Sequence, residues 1–337
     1  MKILSVNDIR KLLQTVGLEN FFRCIIAALE EDFGRWDEFL LSPRHATYYP
    51  HGVIELMPCA DQQLYAFKYV NGHPGNPLNG KLNVVAIGLL SDVVSGYPLM
   101  ISEMTLLTAF RTAATGVLAA LYLARVDAKS LAIIGNGAQA EFQVMAFASF
   151  FQLENIRFFD VDPHAMGKFS RNLSGQKFRL IPCNCVAEAV HDADIVITAT
   201  AAKKRQSLLD IEDISPGTFI NAMGGDCPGK TELSEKFLNQ VKLVVEYKPQ
   251  TLVEGEVQQC TANRIYAELW ELVCKYKPGR ENNYEITLFD SVGFALEDFS
   301  ILRVVYDLAK HYQFGTELPM IPEPNDSKDL FGLLGAP

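Results

Sequence analysis

Hydrophobic positions change their period twice along this chain. From Ser5 to Trp36 apolar residues recur at helical spacing and Gly17 interrupts them, so two amphipathic helices are predicted, with Ser5 capping the first. The pattern then shortens to strand-like runs at Arg44 to Tyr49, Gly52 to Pro58, Leu64 to Tyr69, Asn83 to Leu90 and Pro98 to Glu103. Turn chemistry separates them: Pro-His-Gly, Asp-Gln-Gln, the Gly/Pro/Asn loop from Asn71 to Gly80, and Ser-Gly-Tyr-Pro. This predicts an antiparallel α+β domain. Met104 to Arg125, rich in Ala, Leu and Thr, reads as a long helix leading out of it.

From Lys129 apolar runs (LAIIG, IRFFD, FRLIPC, DIVITAT, TFINAMG, KLVVEY) alternate with helical segments, which implies a parallel sheet covered on both faces. Glu285 to Val292 adds a last strand, and Gly293 to Phe314 a helix that returns to the first domain. The expected fold class is therefore α/β: a Rossmann-type doubly wound parallel sheet domain over residues 119–294, plus an α+β substrate-binding and dimerisation domain. That second unit is discontinuous, over 1–118 and 295–337. The Pro/Asp-rich tail from Pro319 is expected to wrap the surface.

Composition narrows the function. A chain of 337 residues that is 49% hydrophobic can bury two cores, and a net charge of -10 with no basic run excludes a nucleic-acid partner. The seven cysteines are scattered without a paired CxxC, so neither a disulfide framework nor a metal site is expected. The opening MKILSVNDIRKLL has no signal-peptide core, and the apolar stretch Leu82 to Ile101 is broken by Asp92, Ser95, Gly96 and Pro98. A soluble, cytoplasmic protein with small ligands and no membrane partner is expected.

Gly135-Asn136-Gly137-Ala138-Gln139-Ala140 follows the strand LAII and opens a helix, the context a dinucleotide fingerprint requires. Gly135 permits the tight turn, Gly137 lets backbone approach a pyrophosphate, and Ala140 stands in for the third glycine. Asp160, at the next strand end, would accept hydrogen bonds from the adenosine ribose and repel a 2′-phosphate, favouring NAD over NADP. The plainer alternative is a tight turn followed by a helix cap at Asp162-Pro163. Thr198 to Ala201 would line the nicotinamide half of the groove. Thr112, Thr200, Asn221, Lys230 and Ser291 are further expected cofactor contacts.

The run NAMGGDCPGKTEL presents a carboxylate, Asp226, at a strand end, where α/β proteins bind ligands. Gly224 and Gly225 beside it are expected to take backbone angles closed to other residues. Arg44, Glu55, Lys68 and Arg111 stand as isolated charges in apolar runs, where burial costs several kcal/mol unless a partner or ligand meets them. Three cations and two carboxylates suit an amino acid with a cationic tail. The plainer alternative pairs Glu55 with Lys68 and leaves Arg111 on a solvated helix face. His73 is a minor candidate, and Cys227, Trp36 and Trp270 read as packing residues.

VIELMP, AFKYVNGHP, RTAAT, IGNGAQAEFQ, GGDCPGKTEL, VEYKPQTLVEGEVQQ and FDSVGFALED resemble the ornithine cyclodeaminase family, within the larger group of μ-crystallin, archaeal-type alanine dehydrogenases and lysine cyclodeaminases. The resemblance spans nearly the whole chain. It implies that Arg44, Lys68 and Arg111 hold a substrate carboxylate, and that Glu55 and Asp226 face a distal amine, with Asp226 taking its proton. It further implies NAD as cofactor, a homodimer formed through the first domain's sheet, and conversion of ornithine to proline and ammonia with transient hydride transfer. One departure is Asn83, an expected substrate contact where close cyclodeaminases carry Thr; it leaves ornithine, lysine or another diamino acid open. A ketimine reductase or amino-acid dehydrogenase of the same group is the rival reading.

Overall fold

The structure, a computed structural model, describes residues 1–201 and 205–335. Ser5 and Asp8 form a reciprocal cap, each side chain accepting from the other's backbone N–H, and this starts the helix Val6–Val16. Gly17 ends it at φ +84°, a left-handed angle that side-chain-bearing residues rarely adopt. The second helix, Leu18–Gly34, leaves at a bend of 101°.

Among the described residues the first sheet has eight strands. Thr316–Glu317, Lys2–Leu4, Pro98–Glu103, Val84–Asp92, Leu64–Gly72 and Gly52–Ala60 lie side by side, and Leu40–Leu41 and His45–Tyr49 both pair with Gly52–Ala60. All five strands read from the sequence are present. Lys2–Leu4, Leu40–Leu41 and Thr316–Glu317 were not foreseen, because two or three residues are too few to display a period of two. Lys2–Leu4 pairs parallel with Pro98–Glu103, so the sheet is not wholly antiparallel as expected.

Register places Glu55 opposite Val70 and Met57 opposite Lys68, which puts Glu55 and Lys68 on one face of the sheet. That face is inward: the helix Ala295–His311 packs across the three central strands, so close that a side chain at Gly88 would meet Met104 and Leu302. The outward face leaves Leu56, Tyr65, Tyr69, Val85 and Ile87 exposed. The helix Thr105–Leu123 is long and apolar enough to cross a membrane by composition, yet 78% of its apolar window is buried inside the protein as a core helix.

The second sheet is parallel throughout, in the order Arg179–Pro182, Asn155–Phe159, Ser130–Ile134, Ile195–Thr198, Phe219–Ala222, Thr287–Asp290, Lys242–Val245, Ala267–Glu268. Thr287–Asp290 inserts between Phe219–Ala222 and Lys242–Val245, so its C-terminal end sits inside the sheet beside that of Phe219–Ala222. One apolar cluster runs from the N-terminal helices through Thr105–Leu123 to one face of this sheet; a second fills the other face. Trp36 stacks on Trp270 at 5.7 Å between ring centres, joined by Tyr247 and Phe294, the packing role expected of both tryptophans.

Candidate active site

Of the charges that stood isolated in the sequence, Glu55, Lys68 and Arg111 are buried and Arg44 is partly buried; all four are paired, and most of their partners come from far along the chain. Arg44, just before the strand His45–Tyr49, donates from Nη2 to the carbonyls of Val292 (2.9 Å) and Gly293 (2.6 Å). Its Nη1 reaches Glu55 at 3.2 Å, and its Nε lies 3.1 Å from Glu254. Lys68 is 1% exposed and pairs with Asp298 at 2.9 Å. Arg111 meets Glu297 at 2.6 Å and Asp298 at 3.1 Å.

Both plainer alternatives therefore fail. Glu55 pairs with Arg44 rather than Lys68, because the returning helix brings Asp298 to Lys68. Arg111 is 5% exposed, not on a solvated face. Burial, followed by the neighbouring charge of Arg111, lowers the Lys68 ammonium to about 8. Among the described residues no acceptor meets Arg111 Nη2, so it and Lys68 Nζ can still donate to an incoming carboxylate.

Asp226 stands in the loop after Phe219–Ala222, more than half exposed, with Lys230 at 2.9 Å. Lys230 is buried and turned onto Asp226. The charge of Asp226 helps to keep Arg44 protonated and adds to the rise at Glu254. The loop glycines serve differently from expectation. Neither Gly224 nor Gly225 has a positive φ; a side chain at Gly224 would run into the Glu232 carboxylate and one at Gly225 into that of Glu256.

Those carboxylates hold the loop. Glu232 accepts from the Thr200 N–H at 2.7 Å and from its hydroxyl. Glu256 accepts from the N–H groups of Glu232 and Leu233, and Asp290 from those of Glu256 and Val257. Burial pushes Glu256 up to about 8 and Asp290 up to about 7. Glu254 is likewise raised to about 7 by burial, with Glu55 and Asp226 adding to it and Arg44 opposing. Glu246 accepts from Ser291 Oγ (2.6 Å) and from the N–H groups of Val292 and Gly293. Sequence reasoning missed Glu232, Glu246, Glu254, Glu256, Asp290, Glu297 and Asp298. The apolar spacing around VEYKPQTLVEGEVQQ was the available signal, since it too strands acids in a core-forming stretch.

At the glycine turn, Gly135 takes φ +94° and a side chain there would strike the Ala199 carbonyl, while Gly137 faces open space. Gly137 and Ala138 are exposed, as backbone awaiting a phosphate must be. Asp160 accepts from the N–H of Asn136 at 2.6 Å and of Asp162 at 2.9 Å. Asp162 caps the helix Pro163–Asn172, so the plainer reading holds for that residue. Asn136 Nδ2 and Oδ1, Gln139 Oε1, Gln143 Nε2 and Asn221 Oδ1 are buried without partners among the described residues. Each such group costs roughly 1–3 kcal/mol unless a ligand satisfies it, so the turn fits a polar dinucleotide.

Asn221 is wedged between Gly116 and Gln143, and Thr112, on the same helix as Gly116, is half-buried. The hydroxyls of Thr200 and Ser291 are engaged by Glu232 and Glu246. Asn83 is the expected contact that stays outside the cluster: it is exposed, and its carbonyl accepts from the His73 N–H at 2.9 Å.

The model of the ornithine cyclodeaminase/mu-crystallin family matches residues 6–313. The chain belongs to that family. The ornithine cyclodeaminase of Agrobacterium tumefaciens (strain Ach5) is 48% identical over 331 residues, 98% of this chain and 93% of that relative. Among solved structures of the family's fold, a lysine cyclodeaminase described for its recognition of L-lysine, L-ornithine and L-2,4-diaminobutyric acid superposes with a TM-score of 0.92. It shares 28% identity over 99% of both chains. An archaeal alanine dehydrogenase dimer with bound NAD superposes at 0.88, with 30% identity over 95% of this chain and 99% of that one. Family membership accords with the site: the dinucleotide turn follows the strand Ser130–Ile134 and Arg44 meets the backbone just past Thr287–Asp290, both at the carboxyl ends of parallel strands.

Proposed function

We propose that this chain is an NAD-dependent ornithine cyclodeaminase that converts L-ornithine to L-proline and ammonia. The observation that carries the reading is the pair of carboxylates at Arg44, Glu55 in contact with it and Asp226 acting on it by charge, in a site whose other cations are Lys68 and Arg111. A dehydrogenase acting on an ordinary amino acid has no use for a second carboxylate set facing a side-chain amine. The near full-length similarity to ornithine cyclodeaminases supports the same substrate.

Lys68 Nζ and Arg111 Nη2 bind the substrate carboxylate, with Arg44 bracing that wall; Glu55 and Asp226 receive the distal ammonium. Fixing both ends orients the α-carbon, which can contribute up to roughly 7–11 kcal/mol in favourable cases. NAD, when bound at the Gly135 to Ala140 turn, supplies reversible hydride acceptance at that carbon. Gly135, Asn136, Gly137, Ala138, Gln139 and Asp160 hold its adenosine and pyrophosphate, and Thr112, Asn221, Thr200, Lys230 and Ser291 form or support the rest of its groove. The distal amine ordinarily keeps its proton up to about pH 10, so a carboxylate must remove it before the amine can close the ring.

The division into 1–118 with 295–337 and 119–294 belongs to the same proposal. So does a cytoplasmic homodimer that covers the apolar outward face of the first sheet, whose exposed Leu56, Tyr65, Tyr69 and Ile87 would otherwise face water. Incubating the purified chain with NAD+ and α-deuterated ornithine tests the activity. Proline that retains most of the label, ammonia in equal amount and no net NADH are expected. Stoichiometric NADH or wholesale loss of label would move the assignment to a dehydrogenase, and faster turnover of lysine to a lysine cyclodeaminase.

A further inference from the structure

Behind Lys68 and Arg111, buried acids outnumber the cations. Asp298 is shared between Lys68 and Arg111, Glu297 accepts from Arg111 Nη1, and the charge of Glu246 also acts on Arg111. All three acids are at most 1% exposed. Glu246 follows the strand Lys242–Val245, and Glu297 lies in the first turn of the helix Ala295–His311, so two distant segments bring these acids together. They meet at Gly293. Its N–H donates to Glu246, and a side chain there would strike the same Arg111 Nη1 that holds Glu297.

The two acids are served unequally. Both Glu246 oxygens are filled, Oε1 by the Ser291 hydroxyl at 2.6 Å and Oε2 by the N–H groups of Val292 and Gly293. Glu297 Oε2 takes its bond from Arg111 at 2.6 Å, whereas its Oε1 is buried and meets no donor among the described residues. The two carboxyls are nevertheless hydrogen-bonded to each other. Ionised carboxylates only accept, so such a bond requires a proton on one of them.

We propose that Glu246 and Glu297 share one proton, and that this proton is what lets Lys68 and Arg111 hold the substrate carboxylate. With it, the buried set of Lys68, Arg111, Asp298, Glu246 and Glu297 is balanced in charge, and Lys68 Nζ and Arg111 Nη2 are free to donate to an incoming carboxylate. Without it, that carboxylate would be a fourth negative charge beside two cations, and like charges in a buried site repel strongly. Burial, with the neighbouring charge of Glu246, raises the Glu297 carboxyl well above its usual range against the pull of Arg111. The charged groups facing the pair are Arg111 and Asp298, with Lys68 beyond Asp298. Glu246 and Glu297 are thus positioning residues that act through Arg111. The inference rests on the reading above that this wall takes the carboxylate end of the substrate.

The test is infrared difference spectroscopy of the full NAD-loaded chain, unsubstituted minus variant, in light and heavy water at neutral pH, with KM and kcat for ornithine alongside. The unsubstituted chain should show the deuterium-sensitive C=O stretch of an un-ionised carboxyl. Glu246→Gln and Glu297→Gln should each lose it, because the acid left in each variant has no second acid to share with and ionises. Either variant alone reports the band if the other does not fold. Glu297→Gln, whose amide copies the neutral acid, should keep KM within about threefold, while Glu297→Met, which cannot bond Arg111, should raise KM by about tenfold or more with a smaller change in kcat. A band that survives in either Gln variant, or a KM in Glu297→Gln that rises as far as in Glu297→Met, would overturn the proposal. An unsubstituted chain that makes no proline from ornithine, with the band behaving as expected, would remove the substrate reading and leave the shared proton in place.

Discussion

Arg111 and Glu297 lie 186 residues apart in sequence and 2.6 Å apart in space, both buried. Arg111 belongs to the helix that leads out of the first sheet and Glu297 to the helix that comes back to it, so this pair, with the Arg111–Asp298 pair beside it, ties the exit of the chain to its return.

Removing one partner of a buried pair strands the other. Arg111→Met should therefore lower unfolding free energy by about 3–5 kcal/mol in urea titration, as well as abolish activity. The double variant Arg111→Met/Glu297→Met should recover much of that stability while remaining inactive, since neither charge is then left unpaired. Equal stability of the single variant and the parent would show that the pair carries no structural weight.

The loop glycines give a steric prediction. Gly225 has no positive φ, so alanine there costs little in backbone strain, but its Cβ would collide with Glu256. Gly225→Ala should cost roughly 1–3 kcal/mol, the usual penalty for overpacking. Combined with Glu256→Ala it should cost less than the sum of the two single changes, because the second substitution removes the obstacle. Strict additivity in the double-mutant cycle would mean that the carboxylate is not what excludes a side chain.

Cofactor choice follows from Asp160, whose carboxylate sits beside the glycine turn and accepts from the Asn136 N–H. NAD(H) should bind at least about tenfold more tightly than NADP(H), about 1.4 kcal/mol. Asp160→Ser should narrow the gap, and equal affinities for the two cofactors in the unsubstituted chain would contradict the assignment.

Stability should fall as pH rises from about 5 to 8. Glu254, Glu256 and Asp290 are each raised in the folded protein, to about 7, 8 and 7, by burial above all. A carboxyl raised on folding contributes stability that is fully present below its unfolded value, about 4, and is lost as pH climbs through its folded value. Lys68, lowered to about 8, acts in the opposite sense only between there and its unfolded value near 10.5, so the window closes at about pH 8. Calorimetry should show Tm declining across this range, and Glu256→Gln should make the decline shallower. A flat or rising Tm would count against the buried acids as proton holders.

Much of the site was legible because its chemistry is local. The glycine turn, the helix it opens and the acid at the next strand end occupy one short stretch, so strand, Gly135, Gly137 and Asp160 could be placed without tertiary information. The cations were legible as charges in apolar runs. Where the Asn83 side chain lies was not legible, because a position beside a site loop does not reveal its surroundings; the structure leaves it exposed.

By itself, the sequence determined the element types, the two-sheet architecture and the set of charges that must find partners, because hydrophobic period and stranded charge are properties of neighbouring residues. Only the tertiary structure decided which acid meets which cation. Glu55 and Lys68 share a sheet face yet do not pair, since the helix Ala295–His311 delivers Asp298 to Lys68 and the C-terminal end of the helix Lys248–Glu254 delivers a further acid to Arg44. Likewise Gly224 and Gly225 are glycines on account of Glu232 and Glu256, whose approach no backbone angle announces. Burial and contact between distant segments arise only when the chain closes on itself, and these set both the pairing of the charges and the protonation of the acids.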